Sequence, residues 1–474
     1  MTQTAAVSPA VSSPSAALAE FAAGLTFADL PDDVVAHMKV ALLDTLGCGI
    51  FGASLEWTRI LRHTLAGLET AGDTVLIGSS ARLSGAHAVL VNGAAIHGFE
   101  LDDLHARSIV HPGSVVLPAA LAAAQRDPAI GGRELLTALV AGYEVAARVG
   151  MSVGAAHLLR GFHPTGTHGT VGAAAAAGSV LGLSAEQMVH ALGIAGTQAA
   201  GLMAAQYASM VKRFHAGRAA QSGYYAAYLA GQGYTGITGL LDEEYGSYGT
   251  TLSPSFDRDV ITAGLGETWE VRSVGFKPYS TNGSCHPSID AVLDLRAAHG
   301  IRFEDVAEVR LRVSSATYEH VGWPYVPGSV TTAQMNLPYI MAVAFADGDA
   351  FVRQFTPERI TDPALVEFTR RVTVTADPAI DAEGDKGRHH TLIEVVLTDG
   401  RVFADDRRFA RGSARRPMTP AEVEQKFDKL VSGLIDDASA ARIKEIVSGL
   451  DEQPDLTGLF DALGQDVGGT AYRI

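Results

Sequence analysis

Residues 94–118, AAIHGFELDDLHARSIVHPGSVVLP, set His97, Glu100, Asp102, Asp103, His105 and His111 between two segments of apolar and small residues. The flanks predict helices packed in a core, with the titratable groups at a helix end facing a cavity. Charge held beside a core costs free energy unless it is paired or used. The stretch is therefore expected to line an active site within a mainly helical protein.

Composition points the same way. A chain of 474 residues, 47% hydrophobic, exceeds one small core and suits two domains. Its apolar share leans on alanine, and runs such as GAAAAAG at 172–178 favour closely packed helices. The formal net charge of −16 argues against nucleic acid or an anionic membrane surface as partner. An anionic small molecule stays open, because salt screens exposed charge beyond roughly 8 Å and a pocket's own cations then decide. Cys48 and Cys285 form no disulfide framework, so a cytoplasmic location is expected. Residues 1–16 are rich in Ser, Ala and Pro and read as a disordered tail without the features of a secretory signal. No run of about 18 strongly apolar residues predicts a transmembrane span.

Along the chain, Pro31-Asp32-Asp33 opens a helix carrying Val34, Val35, Met38, Leu42 and Leu46 at helical spacing. A second runs over Glu134–Val149, and further helical segments are expected at 171–182, 184–200 and 216–232. From residue 271 the period changes. Val309, Leu311 and Val313 alternate with Arg310 and Arg312, VTVT at 372–375 does likewise, and TLIEVVLTDGRVFADD at 391–406 reads as a hairpin turning at Asp399-Gly400. Helices are expected at Pro287–Ala298 and Thr332–Ala346. Thr419-Pro420-Ala421-Glu422 is a capping box that returns the chain to helix. The expected architecture is a helical domain from 17–270 and 405–474, with a smaller α+β domain inserted over 271–404. No glycine-rich phosphate loop follows a strand.

Five stretches place titratable residues beside Gly, Pro or small residues, the composition of chain that approaches a ligand: ELDDLHARSIVHPGS (100–114), GFHPTGTHGT (161–170), VKRFHAG (211–217), FKPYSTNGSCHPS (276–288) and the Tyr339 region NLPYIMAVAF. Each has a plainer reading. His111 and His163 can cap helix ends, and Lys212 and Arg213 can snorkel to solvent. Glu100, Asp102, Asp103 and His105 can be a solvated acidic turn or hold a hard cation. Beside Cys285, His286 raises a metal site, but no zinc-ligand spacing follows, so no metal is expected. His389-His390 reads as an exposed loop. As a set, the residues suit acid–base work on a carboxylate: Lys212, Arg213 and histidines supply positive charge, and histidine serves as acid or base near neutral pH. Tyr339 offers a second acid. No pattern demands a cofactor.

With these motifs the chain resembles the MmgE/PrpD family, which includes 2-methylcitrate dehydratase, cis-aconitate decarboxylase and iminodisuccinate epimerase. The resemblance rests on LLDTLGCGIFG, the H-x-x-[DE]-x-D-D block leading to His-Pro, GFHPTGTHGT, VKRFHAG, FKPYSTNGSCHPSIDA and RRPMTPAEVEQKF, in that order over nearly the whole chain. It implies a helical domain plus a lid domain, a homodimer, and a cofactor-free site in the cleft between the domains. Carried over, the family's acid falls on Glu100 and the block's last acid on Asp103. Its histidines fall on His111, His163 and His286, its lysine on Lys212 and its lid tyrosine on Tyr339. Arg213, His215, Leu104 and His168 are the accompanying substrate-binding candidates.

The chain departs from the family pattern at four places. Glu100 replaces an aspartate and reaches one methylene further, Leu104 replaces a threonine donor, and His168 stands where a small residue is common. The approach from Leu104 to His111 is also one residue longer than in the decarboxylases. Losing a donor to a substrate carboxylate costs about 1–3 kcal/mol, enough to change substrate while keeping the chemistry. The expected function is a cofactor-independent lyase on a small polycarboxylate, first a 2-methylcitrate dehydratase type. Cis-aconitate decarboxylation, epimerisation of an amino-dicarboxylate and an inactive polycarboxylate-binding protein are the alternatives.

Overall fold

Small and apolar residues at helical spacing fold the first half of the chain into helices, and the computed structural model describes residues 13–69, 71–207 and 209–468. Ser13 caps α1 (Pro14–Gly24) by accepting from the Ala16 amide. The expected tail therefore ends before Pro14, and residues 1–12 lie outside the described residues. Then come α2 (Asp32–Ala53), α3 (Gly85–Ile96), α4 (Gly113–Ala124), α5 (Gly132–Leu159), α6 (Pro164–Val180), α7 (Ala185–Gly196) and α8 (Val211–Gly231). At the centre, α6 packs on α4, α5, α7 and α8. Both α2 and α5 are long and apolar enough to cross a bilayer, but 78% and 94% of their apolar windows are buried inside the protein, as in core helices.

Two helices start earlier than their sequence predicts. GFHPTGTHGT contributes the first turns of α6, where Pro164 fits the first turn and the hydroxyls of Thr167 and Thr170 bond back to the carbonyls of His163 and Gly166. VKRFHAG opens α8. Its glycine is required there: a Cβ on Gly217 would lie 2.1 Å from the Leu90 carbonyl oxygen, and one on Gly93 would lie 2.8 Å from Gly217 Cα. This glycine contact draws α8 onto α3 and brings Lys212 and Arg213 under the end of α3.

After α3, the acidic block forms a tight turn and a two-residue strand, β1 (Leu104–His105). It pairs antiparallel with β2 (Val274–Gly275), which ties the block to the later part of the chain. Beyond β2 lie α9 (His286–His299) and a four-stranded sheet of β3 (Val306–Val313), β4 (Val372–Ala376), β5 (Thr391–Leu397) and β6 (Val402–Arg407), in the order β4-β3-β5-β6. Only β3 and β4 run parallel; the predicted hairpin pairs β5 with β6. Two helices of this region carry side chains used below, α10 (Ser315–Val321) and α11 (Leu337–Asp347). The helix expected over 332–346 is broken: a short helix Val330–Gln334 ends, and the Asn336 side chain accepts from the Tyr339 amide to start α11 afresh.

Finally α12 (Pro420–Val431), capped by Thr419 and Glu422, returns to pack on α2. Its Lys426 is buried, with Nζ 2.6 Å from Asp44 Oδ1 on α2 and 2.6 Å from the Leu101 carbonyl oxygen in the acidic block.

Candidate active site

The acidic block is held in a conformation that side chains resist. Glu100 (φ 58°) and Ile109 (φ 59°) are the non-glycine residues with positive φ among the described residues, and both line the same internal cavity. Left-handed backbone at a β-branched residue stores strain, and such strain concentrates where a site must hold a set geometry.

Glu100 is the charge centre. Its carboxylate accepts from Lys212, from Arg213 Nη1 at 2.5 Å and from Lys277 Nζ at 3.3 Å, with all four side chains buried. Three cations on one carboxylate leave an excess of positive charge in a buried site. Burial alone would raise the Glu100 pKa, but Lys212, Lys277 and Arg213 hold it well below the usual carboxylate range. Burial also pushes Lys212 down to about 8, which puts its proton loss near neutral pH. Glu100, Lys212 and Lys277 line the cavity. Arg213 clamps Glu100 from behind, stacked over Trp57 and bonded to Gln334 Oε1.

Beside this centre runs a chain of imidazoles. His97 Nδ1 donates to Asp102 Oδ2 at 2.7 Å, and His111 Nδ1 donates to the Asp103 carbonyl oxygen at 2.6 Å with Asp102 Oδ1 at 3.5 Å. The His97 ring lies against both His111 and His163. With Nδ1 spent, His111 presents Nε2 to the cavity it lines, and burial pushes it down to about 3, so the ring is neutral in the free protein. Burial and then Lys212 hold His163, also on the cavity wall, well below its ordinary value. His97, Asp102 and His111 offer ligand atoms within 4.8 Å of one another, the spacing of a cation site, while their contacts in the structure are hydrogen bonds.

Of the residues marked from sequence, Glu100, Leu104, His111, His163 and Lys212 meet on the cavity wall. Others do not. Tyr339 is fully buried in α11, stacked on Tyr325, with its hydroxyl donating to the Gln354 carbonyl at 2.6 Å, so it is a core side chain. His168 is buried inside α6 against the Tyr248 hydroxyl at 2.6 Å, facing away from the cavity. Asp103 turns its carboxylate to the Tyr143 hydroxyl and the Gly113 amide and meets the site through its main-chain carbonyl. His215 backs His163, Nδ1 to Nδ1 at 3.1 Å. His286 opens α9 just after Gly283 and Ser284, which line the cavity, but its own ring packs on Tyr279.

Sequence reasoning missed Lys277, although it sits in the quoted FKPYS stretch, and missed His97 and Asp102 as an imidazole relay. It also misread 389–390. His390 is buried between Glu383 and Asp406, and His389 lines the cavity with His320 and Arg388. The charged run before the pair suggested solvent; what decides its place is the pairing of β5 with β3, which a local pattern does not show.

A mainly helical protein with a cavity lined by buried cations and histidines is thus defined by geometry. Family models then match both parts of it: the MmgE/PrpD N-terminal domain over residues 16–258 and the MmgE/PrpD C-terminal domain over residues 279–452. The chain belongs to the MmgE/PrpD family. It is 32% identical to the cis-aconitate decarboxylase-like protein oryM of Aspergillus oryzae, over 91% of this chain and 93% of that protein. It is 30% identical to cis-aconitate decarboxylase of Aspergillus terreus over 98% of both chains, and 30% identical to the human cis-aconitate decarboxylase over 93% of this chain and 92% of that one.

Proposed function

We propose that the protein is a lyase that decarboxylates cis-aconitate or a closely related unsaturated tricarboxylate. The observation that carries this reading is the convergence of Lys212, Arg213 and Lys277 on the single carboxylate of Glu100, beside His111 and His163. The excess positive charge suits an anionic substrate, and the similarity to cis-aconitate decarboxylases covers nearly the whole chain. Decarboxylation breaks the bond between the carboxylate carbon and the methylene, CO₂ leaves, and the electron pair passes into the conjugated enoate. The cations stabilise that charge. A proton must then reach the far carbon. Lys212 is the group suited to give it, since an acid with a pKa of about 8 is charged and labile near neutral pH.

One observation favours a second reading. His111 is a neutral imidazole with Nδ1 fixed as donor, the tautomer of a general base, and base removal of a proton is what dehydration of 2-methylcitrate needs. Incubation with cis-aconitate, citrate and 2-methylcitrate separates the two. CO₂ released from cis-aconitate supports decarboxylation, whereas alkene absorbance from 2-methylcitrate with no CO₂ replaces it by dehydration. No turnover of any of them, with binding retained, leaves a polycarboxylate-binding protein.

A further inference from the structure

Two neighbouring spaces, an inner chamber and a vestibule, share part of their lining. The inner chamber holds about 50 Å³, space for only a few waters. The vestibule adds about 160 Å³ and opens past Leu159, Gln206 and Tyr207. Leu158, Met203, Ser284, His320 and Arg388 line both spaces and so form the throat, whose charged and titratable members are His320 and Arg388, and His389 lines the chamber next to them. A six-carbon tricarboxylate bound at Lys212 would extend from this space toward the residues that both spaces share.

The throat is built. The hydroxyls of Ser314 and of Thr317, on α10 with His320, donate to the Arg388 carbonyl at 2.9 and 2.8 Å. His390 is pinned by Glu383 at 3.2 Å and Asp406 at 2.7 Å, which fixes the segment carrying Arg388 and His389. Arg388 Nη1 also reaches the Ala106 carbonyl of the acidic block at 3.5 Å. Yet His320 Nε2 and His389 Nδ1 are covered and have no hydrogen-bond partner. Covered polar nitrogens normally have partners, and two beside a guanidinium at a cavity throat fit an anionic oxygen ligand.

We propose that His320, His389 and Arg388 form the seat for the third carboxylate of the substrate, so that this throat distinguishes tricarboxylates from dicarboxylates. The proposal rests on the polycarboxylate reading above. Glu100, Lys212 and Lys277 then serve the end of the substrate that reacts, and the throat measures its length and charge. Burial, then Arg388 and Lys212, bring His320 down to about 4, so the guanidinium supplies the charge while the imidazoles supply direction.

Calorimetric titration with tricarballylate and with methylsuccinate tests this. Both are saturated and inert, and the second lacks only the third carboxylate. Wild-type protein should prefer tricarballylate by roughly tenfold or more. Arg388→Gln and His389→Gln should shrink that preference to about twofold or threefold while leaving methylsuccinate affinity nearly unchanged, and Arg388→Lys should keep most of it. Should Arg388→Gln fail to fold by thermal melt, His320→Gln and His389→Gln carry the comparison. An equal loss for both ligands, or no preference in the wild type, overturns the seat alone. Binding of neither ligand by the wild type overturns the polycarboxylate reading, and the seat with it.

Discussion

The ring of His111 and the main chain of Asp103 are locked together, Nδ1 donating to the carbonyl oxygen at 2.6 Å. The residue that binds the imidazole thus does so through its backbone, while its carboxylate is spent on Tyr143 and Gly113. Acid–base function at His111 then depends on Nε2. His111→Gln should lower kcat by about 10²–10⁴-fold with a melting temperature close to wild type, measured by steady-state turnover and thermal melting. Asp103→Asn should act chiefly on stability. A His111→Gln variant as fast as wild type would remove the ring from the chemistry.

Lys212 should set the alkaline limit of activity. Its pKa is pushed down to about 8, so the ammonium is present below that pH and lost above it. Wild-type kcat/KM, which reports the free enzyme, should fall as pH rises through about 8, and so should affinity for tricarballylate. In Lys212→Arg the guanidinium does not titrate, so tricarballylate binding should stay level across that range while turnover is lost for want of a donor. Parallel pH profiles of binding and turnover check both points.

Glu100 holds three buried cations, and its removal should be felt in folding. Glu100→Gln leaves those charges uncompensated, a loss of roughly 3–5 kcal/mol at neutral pH by denaturant unfolding. The pH dependence has a definite sign. A carboxyl held well below its ordinary value of 4.5 contributes stability above that value and loses it as pH falls further. The gap between wild type and Glu100→Gln should therefore narrow progressively below pH 4.5.

For Tyr339 the expectation from sequence was an acid presented to the substrate, and the structure puts the hydroxyl on the Gln354 carbonyl. Tyr339→Phe should cost about 1–3 kcal/mol of stability, because a buried acceptor loses its donor, and should leave kcat within about twofold. A large kcat loss at unchanged stability would return it to the site.

These residues show what a sequence discloses. Glu100, His111, His163 and Lys212 were legible because each sits in a short motif whose ends are helix termini, and the period-2 runs marked β3, β4 and the β5–β6 hairpin. The helix starts at Pro164 and Val211 were not, since threonine and glycine lower local helix propensity, while the Thr167 hydroxyl bonds back to the His163 carbonyl and Gly217 allows the close approach to Leu90. The throat was hidden for a similar reason. His320 and His389 are far apart in the chain, and the pairing of β3 with β5, with the hydrogen bonds from Ser314 and Thr317 to Arg388, brings their segments together.

Lys426 has a consequence in time. It supplies the partner for the Asp44 carboxylate and the Leu101 carbonyl, both of which belong to the first quarter of the chain. During synthesis those groups are made long before the lysine that satisfies them. Until residue 426 has been added, the Asp44 carboxylate and the Leu101 carbonyl lack this partner, although β1–β2 pairing and Arg213 can already hold the block. Protein that stalls earlier in translation carries Glu100, His111 and Lys212 without the buried ammonium that braces them.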